Sequence, residues 1–283
     1  MNRGIDVSQN NGDVDWASVA KEGFTFAYAR ATLGHDSNDP TFETNRAGAR
    51  AHGLRFGGYH LPYPSHSSAE QQAEHFLSVA KPTHGDLLPA IDVENKTPPD
   101  AGEAKLSTGE LVAWLRAWLA AVEKKIGAKP LVYTNPSWWS SRLENANLTE
   151  HPLWLAHYTE GQPTIPHPWA NFAIWQHSET GEVGTAHPFD FNRCPNLDAV
   201  TIGSPASQPI LAQGAQGPAV VRLKHLLTAW AKAHPPSAGL VENDVFGQNT
   251  LVAVKRFQTA AHLPPDGKVD PKTWSALEHE VKQ

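Results

Sequence analysis

One cysteine in 283 residues, Cys194, excludes an internal disulfide. That fits a reducing compartment or a fold large enough to do without staples, so it leaves the compartment open. No apolar run approaches the ~20 residues of a membrane span, so no membrane partner is expected. There is no low-complexity tract, and charged residues make up only 18% of the chain. The net charge of −6 is uneven: from Pro209 onward there are eight Lys/Arg and six Asp/Glu, leaving 15 bases against 23 acids in the rest. An acidic main portion excludes nucleic acid as the expected partner, because phosphate binding needs clustered bases. Paired cysteines and a His-x-x-x-His spacing are also missing, so no metal or cofactor is expected. The one set to weigh against that is His60, Asp92 and Glu94.

What is present is an α/β pattern organised around Leu87–Glu94, an apolar, β-branched run that ends in two carboxylates. On a strand, Asp92 and Glu94 point to the same face, about 6.6 Å apart along the chain. Acids projecting together from a hydrophobic strand are costly to bury without a purpose. Carboxyl pairs at roughly this spacing suit glycoside hydrolysis, at ~5–5.5 Å for retention and ~6.5–9.5 Å for inversion. A strand end running into solvent would carry the same acids, and spacing alone does not separate the two.

Short apolar strands alternate with helical stretches over the first two hundred residues, as in a largely parallel sheet. Strands are expected at Arg3–Val7, Phe24–Ala31, Leu54–His60, Leu87–Glu94, Pro130–Tyr133, Leu153–His157, Phe172–Gln176 and around 187–191. Helices fall at Val14–Lys21 behind Asp13, Pro40–Ala51, Ser67–Val79 and Ser107–Ile126, the last with Ser107 and Glu110 as a capping box. Residues 95–106 read as a loop long enough to line a cleft. About eight strands, with acids near their C-terminal ends, suggest a (β/α) barrel with its chemistry at one face. Thr201–Gln208 reads as a linker. Beyond it, helices at Pro218–Ala231, Gly247–Ala261 and Asp270–Val281 form a small all-α unit of the kind used for binding.

The ordered set Gly4-Ile5-Asp6-Val7-Ser8, Gly58-Tyr59-His60, Asp92-Val93-Glu94, Tyr133-Thr134-Asn135, Leu153-Trp154-Leu155-Ala156, Trp175-Gln176 and Asp190-Phe191-Asn192 resembles the family 25 glycoside hydrolases. These are the N-acetylmuramidase lysozymes, and the likeness covers roughly residues 3–195. It implies a modified, shortened TIM-like (β/α) barrel, with fewer regular strand–helix units than eight. The C-terminal unit resembles a type 1 peptidoglycan-binding domain through Leu211, Gly214, Gly217, Val220, Leu223, Leu226, Phe246-Gly247, Phe257-Gln258, Asp266-Gly267 and Thr273-Trp274. Two departures stand out. Asn243-Asp244 replaces the usual Asp-Gly of the first turn, where Asn and Asp tolerate a left-handed backbone. Leu33 stands where the family often has an acid.

The resemblance implies residues 1–200 as the catalytic barrel, 201–208 as a linker and 209–283 as the peptidoglycan-binding domain. It implies cleavage of the β-1,4 bond between N-acetylmuramic acid and N-acetylglucosamine. Glu94 would be the general acid. Asp92 would stabilise the transition state, as nucleophile or by orienting the substrate's N-acetyl group. Asp6 and Asp190 would be supporting acids. Tyr59, Tyr133, Trp154 and Trp175 would face sugar or fill the barrel, while His60, Asn135, His157 and Gln176 would bind substrate. The partner is bacterial peptidoglycan, met by a monomer. With no room for a signal peptide before the first strand, a phage endolysin released through a holin-type route is expected, or a secreted lysozyme whose leader is absent. The rival readings are a silent barrel that only binds wall, and a metal-dependent wall deacetylase.

Overall fold

The computed structural model describes residues 1–95, 106–183, 188–236, 239–241 and 243–282. It divides into two compact units, Met1–Ile202 and Gly203–Gln283. The expected cleft loop falls mostly on residues 96–105, outside the described residues, as does the start of the strand expected at 187.

Unit one is a closed barrel of eight strands. They are β1 (Asn2–Val7), β2 (Phe26–Leu33), β4 (Arg55–Leu61), β5 (Ala90–Asp92), β6 (Leu131–Thr134), β7 (Leu153–Ala156), β8 (Ile174–Gly181) and β9 (Phe189–Cys194). A two-residue strand, β3 (Ser37–Asn38), only extends the edge of β2. Five helices cover part of the outside: α1 (Trp16–Lys21), α2 (Phe42–Ala51), α3 (Ala69–Ala80), α4 (Thr108–Ile126) and α5 (Pro136–Arg142). Among the described residues no α-helix separates β7, β8 and β9, so the barrel is short of the regular strand–helix alternation, as the resemblance implied.

The eight barrel strands run parallel except for β9, which is antiparallel to both β8 and β1. That corrects the expectation that every acid lies near a strand's C-terminal end. Asp190 is the second residue of β9, and because β9 is reversed, its beginning lies on the same rim as the ends of the parallel strands. The strand expected at Leu87–Glu94 is also shorter than read. Leu87 bridges to Thr201 instead, and regular pairing covers Ala90–Asp92, although Val93 N–H still donates to Tyr133 O at 2.8 Å.

Strand alternation separates two cores. Inward residues Phe26, Tyr28, Ala90, Leu131, Trp154, Ile174 and Cys194 fill the barrel with Leu87, Leu88, Val200 and Ile202. Outward residues such as Ile5, Ile91, Val132 and Leu155 meet the helices. The crowded interior dictates two glycines: a Cβ on Gly4 would sit 2.3 Å from the Phe26 ring, and one on Gly57 2.4 Å from Tyr28.

Helix starts follow local chemistry. Ser107 and Glu110 form the expected capping box of α4, Ser68 and Gln71 one for α3. The cap of α1 is Asp15, not Asp13, because its carboxylate is the one that reaches Ser18 N–H.

Unit two packs α6 (Pro218–Ala233), α7 (Gln248–Ala260) and α8 (Pro271–Lys282) around Val220, Leu223, Leu227, Phe246, Val254, Phe257 and Trp274. The stretch expected as a linker is structured: Thr201 and Ile202 pair back to Leu87 and Asp86, and Pro205–Ser207 is a 3-10 turn. At the Asn243-Asp244 departure no left-handed residue is used. Asn243 Oδ1 instead accepts from Val245 N–H and from the ammonium of buried Lys224, which also donates to the carbonyls of Val241 and Asn243.

His60 shows how the outer core is built. It is fully buried, stacked on Trp118 at 5.4 Å, with Nδ1 2.8 Å from Thr32 Oγ1 and Nε2 3.0 Å from Gln72 Oε1. Burial pushes its pKa down to about 3. A pKa lower in the folded than in the unfolded chain gives stability that is complete above ~6.5 and lost as pH falls towards the folded value. Buried His151, lowered to about 4, acts in the same direction. His60→Gln should therefore cost roughly 1–3 kcal/mol at pH 7 through lost stacking and hydrogen bonding. It should also flatten the loss of stability between pH 6.5 and 4, as read from urea midpoints across that range.

Candidate active site

Four carboxylates reach one small cavity. It has a volume of about 90 Å³ and is lined by Asp6, Asp92, Glu94, Asp190, Tyr59, Tyr133, Trp154 and Gln176. The backbone accounts for each. Asp6 and Asp190 are register partners across β1 and β9, so their side chains stand on one face within pairing distance. Asp92 ends β5 pointing inward, and outward-facing Val93 returns Glu94 to the same side. Tyr59, Tyr133, Trp154 and Gln176 occupy the matching inward positions of β4, β6, β7 and β8.

Asp6 is gripped from two sides. Its Oδ2 accepts from Asn192 Nδ2 at 2.6 Å and Gln176 Nε2 at 2.9 Å. Trp154 Nε1, which can only donate, meets Asn192 Oδ1 at 2.8 Å and so turns the Asn192 amide nitrogen towards Asp6. Burial and the facing Asp190 hold Asp6 well above the ordinary carboxylate range. Burial raises Asp190 to about 6, with Glu179 and Glu94 adding repulsion and a hydrogen bond from Asp6 opposing it. Two facing carboxyls cannot both ionise cheaply, and the upward push falls harder on the more deeply buried Asp6. Burial likewise lifts Tyr59 and Tyr133 well above the usual phenol range, with the nearby carboxylates adding to it.

A groove of about 770 Å³ meets the cavity at Glu94 and is lined also by Asn135, Ala156, His157, Tyr158 and Glu179. Glu94 is half-buried at the junction. Asn135 lies on this groove, but its side-chain oxygen caps α5 by accepting from Trp138 N–H. His157 lies there too, its Nδ1 accepting from Thr164 N–H.

Two residues expected to bind substrate, His60 and Trp175, are turned away from the cavity, and a third, Gln176, lines it. His60 follows inward Tyr59 and therefore faces outward, beneath α3 and α4. Trp175 precedes inward Gln176 and packs in the outer core, its Nε1 donating to His157 O at 2.7 Å. Gln176 does line the cavity, but it is 1% exposed and its amide is committed to Asp6 and two tyrosines. With His60 turned away, the set His60, Asp92 and Glu94 is not assembled. Among the described residues, no group of three or more His, Cys, Asp or Glu is arranged to hold a metal.

Sequence reasoning missed Tyr158 and Glu179. Tyr158 is 46% exposed on the groove while its hydroxyl donates to Gln176. Its place directly after the strand end Ala156-His157 was the available signal. Glu179 lies beyond the bulge in β8, which breaks the alternation that would have revealed its direction.

Carboxylates and aromatics around a cavity on the C-terminal rim of a closed β/α barrel define a barrel enzyme of the glycoside hydrolase class. Comparison with known proteins makes this specific. Residues 5–185 match the model of glycosyl hydrolases family 25, and residues 216–277 match a putative peptidoglycan binding domain. Lysozyme M1 of Streptomyces globisporus is 34% identical over 187 residues, covering 64% of this chain and 63% of that protein. The N,O-diacetylmuramidase of Chalaropsis sp is 32% identical over 212 residues, 71% of this chain and 99% of that one. The crystal structure of the bacterial lysozyme from Streptomyces coelicolor superposes with a TM-score of 0.66 at 31% identity, over 73% of this chain and 96% of that one. The chain belongs to glycosyl hydrolases family 25.

The acid pair makes the site a stability liability. A folded pKa raised to about 6 gives stability that is complete below the unfolded value near 3.9 and is lost as pH rises through 6. Asp190→Asn should therefore raise Tm by a few degrees at pH 7, with the gain shrinking to nothing below pH 4 in a thermal-melt series.

Proposed function

We propose that this protein is a lysozyme that hydrolyses the β-1,4 bond after N-acetylmuramic acid in bacterial peptidoglycan. The observation that carries the reading is Glu94 at the mouth of the four-acid cavity, where the cavity opens into the groove. A glycan lying along the groove presents its glycosidic oxygen to Glu94, which protonates the leaving group. Asp92, deeper in the cavity, faces the developing positive charge at the anomeric carbon. It stabilises that charge directly or by orienting the substrate's N-acetyl group for attack. The Asp6–Asp190 pair supplies further negative charge, and Tyr59 and Tyr133 supply neutral hydroxyls. Water then cleaves the intermediate, with Glu94 as base.

Unit two holds the enzyme on its polymer. Tethering two wall-binding surfaces on one chain raises the effective concentration of substrate at the cavity, so a monomer suffices. For the route to the wall we propose that of a modular endolysin, released from the cytoplasm of a lysing host.

Glu94→Gln should lower wall hydrolysis by two to three orders of magnitude, since a lost general acid costs about 10²–10⁴-fold, while leaving wall binding intact. Mass spectrometry of digested wall should show new reducing N-acetylmuramic acid ends with the wild type only. Unchanged lysis by Glu94→Gln would overturn the role of Glu94. Retention on wall without new reducing ends from the wild type would make the barrel a silent binding scaffold, and loss of activity with chelator would point to deacetylase chemistry.

Expressed without a leader in a Gram-negative host, the protein should leave cells intact until the inner membrane is permeabilised, when turbidity should fall. Lysis before permeabilisation would argue against the endolysin route.

A further inference from the structure

The amide of Gln176 sits between the groove and the acid pair. Its Oε1 accepts from Tyr133 OH and from Tyr158 OH, both at 2.9 Å, and its Nε2 donates to Asp6 Oδ2 at 2.9 Å. Asn192 occupies the same Asp6 oxygen. Asp6 and Asp190 are also hydrogen-bonded to each other, which holds Asp6 up and Asp190 down, and neither of the two amides occupies the other Asp6 oxygen, Oδ1. Tyr158 is the one member of this chain that is widely exposed, and it stands on the groove.

We propose that Gln176 is a positioning residue that directs the shared proton of Asp6 towards Asp190, and that Tyr158 extends this control to the groove. An N–H at Oδ2 draws charge from the carboxyl and makes its Oδ1–H a better donor. The stronger donor holds Asp190 as the anion at lower pH. A ligand hydroxyl that draws Tyr158 away would loosen the Gln176 amide and weaken that hold, so occupancy of the groove and the charge of the pair are linked.

The other groups facing the pair come from every surrounding strand. Asp92 and Glu94 lie at the end of β5, and Glu179 lies on β8. Tyr59 comes from β4, with Arg30 of β2 beside it, and Tyr133 comes from β6. None of these donates to Asp6 Oδ2, so removing the Gln176 amide leaves their charges in place while it takes one N–H from Asp6 and the shared acceptor from Tyr133 and Tyr158.

The proposal rests on the lysozyme reading for its link to rate, but the titration itself can be measured without activity. In Gln176→Met, the carboxyl carbon resonance of Asp190 should titrate about one pH unit above the wild type. The rising limb of the kcat/KM profile, expected near pH 6 in the wild type, should move up with it. Tyr158→Phe, a change at an exposed ring that does not endanger folding, should give a smaller shift in the same direction because Tyr133 remains. It decides the matter if Gln176→Met fails to fold. A fall in kcat/KM with an unmoved limb and an unmoved Asp190 titration would overturn the proposal and leave Gln176 as packing. A shifted titration in a protein that releases no reducing ends would uphold the proton wiring and sink the lysozyme reading instead.

Discussion

The pairing of Asp6 with Asp190 across β1 and β9 is the constraint on which the rest depends. That ladder is the seam at which the barrel closes, and it sets two acids directly opposite each other, an arrangement sheets ordinarily avoid. The molecule tolerates it by holding both carboxyls above the ordinary range and by supplying Asp6 with two amide donors. Each donor is in turn fixed by an aromatic side chain, Asn192 by the Trp154 indole and Gln176 by two tyrosine hydroxyls. Aromatic residues inside this barrel are thus both filling and scaffolding for charge, and barrel closure and site assembly are one event.

The sequence carries much of this, and what it hides is parity. The ordered strands, the acids, the Ser107–Glu110 box and the three C-terminal helices are all legible, because each depends on local chemistry. The adjacent residues Tyr59 and His60, and likewise Trp175 and Gln176, read equally well as site residues. A strand must send them to opposite faces. Which of the two turns inward depends on register with neighbours far along the chain, and no local pattern records it. The reversal of β9 is hidden for the same reason: a reversed strand and a parallel one share their alternation. Tyr158 and Glu179 escaped because they follow a strand end and a bulge, where side-chain direction no longer obeys the count of two.

The two units solve burial differently. The barrel hides polar groups by pairing them inside a rigid sheet, as with the buried ion pair of Arg30 and Asp39 at 2.9 Å. The small helical unit buries an ammonium, that of Lys224, and satisfies it with two backbone carbonyls and the side chain of Asn243. This explains why Asn243 can stand at a turn where a left-handed residue would be usual: its amide oxygen is needed to organise the loop and to receive the lysine, and the backbone there stays in ordinary territory.

The strand that closes the barrel is also among the last parts of unit one to be synthesised. Residues 189–194 must find residues 2–7 across almost the whole length of the unit, and such distant pairings form late. A ribosome-bound chain that has not yet extruded Asp190 lacks half of the acid pair, Asn192 and the seam itself. The acid cavity is therefore complete only once the last strand of the unit has joined the first.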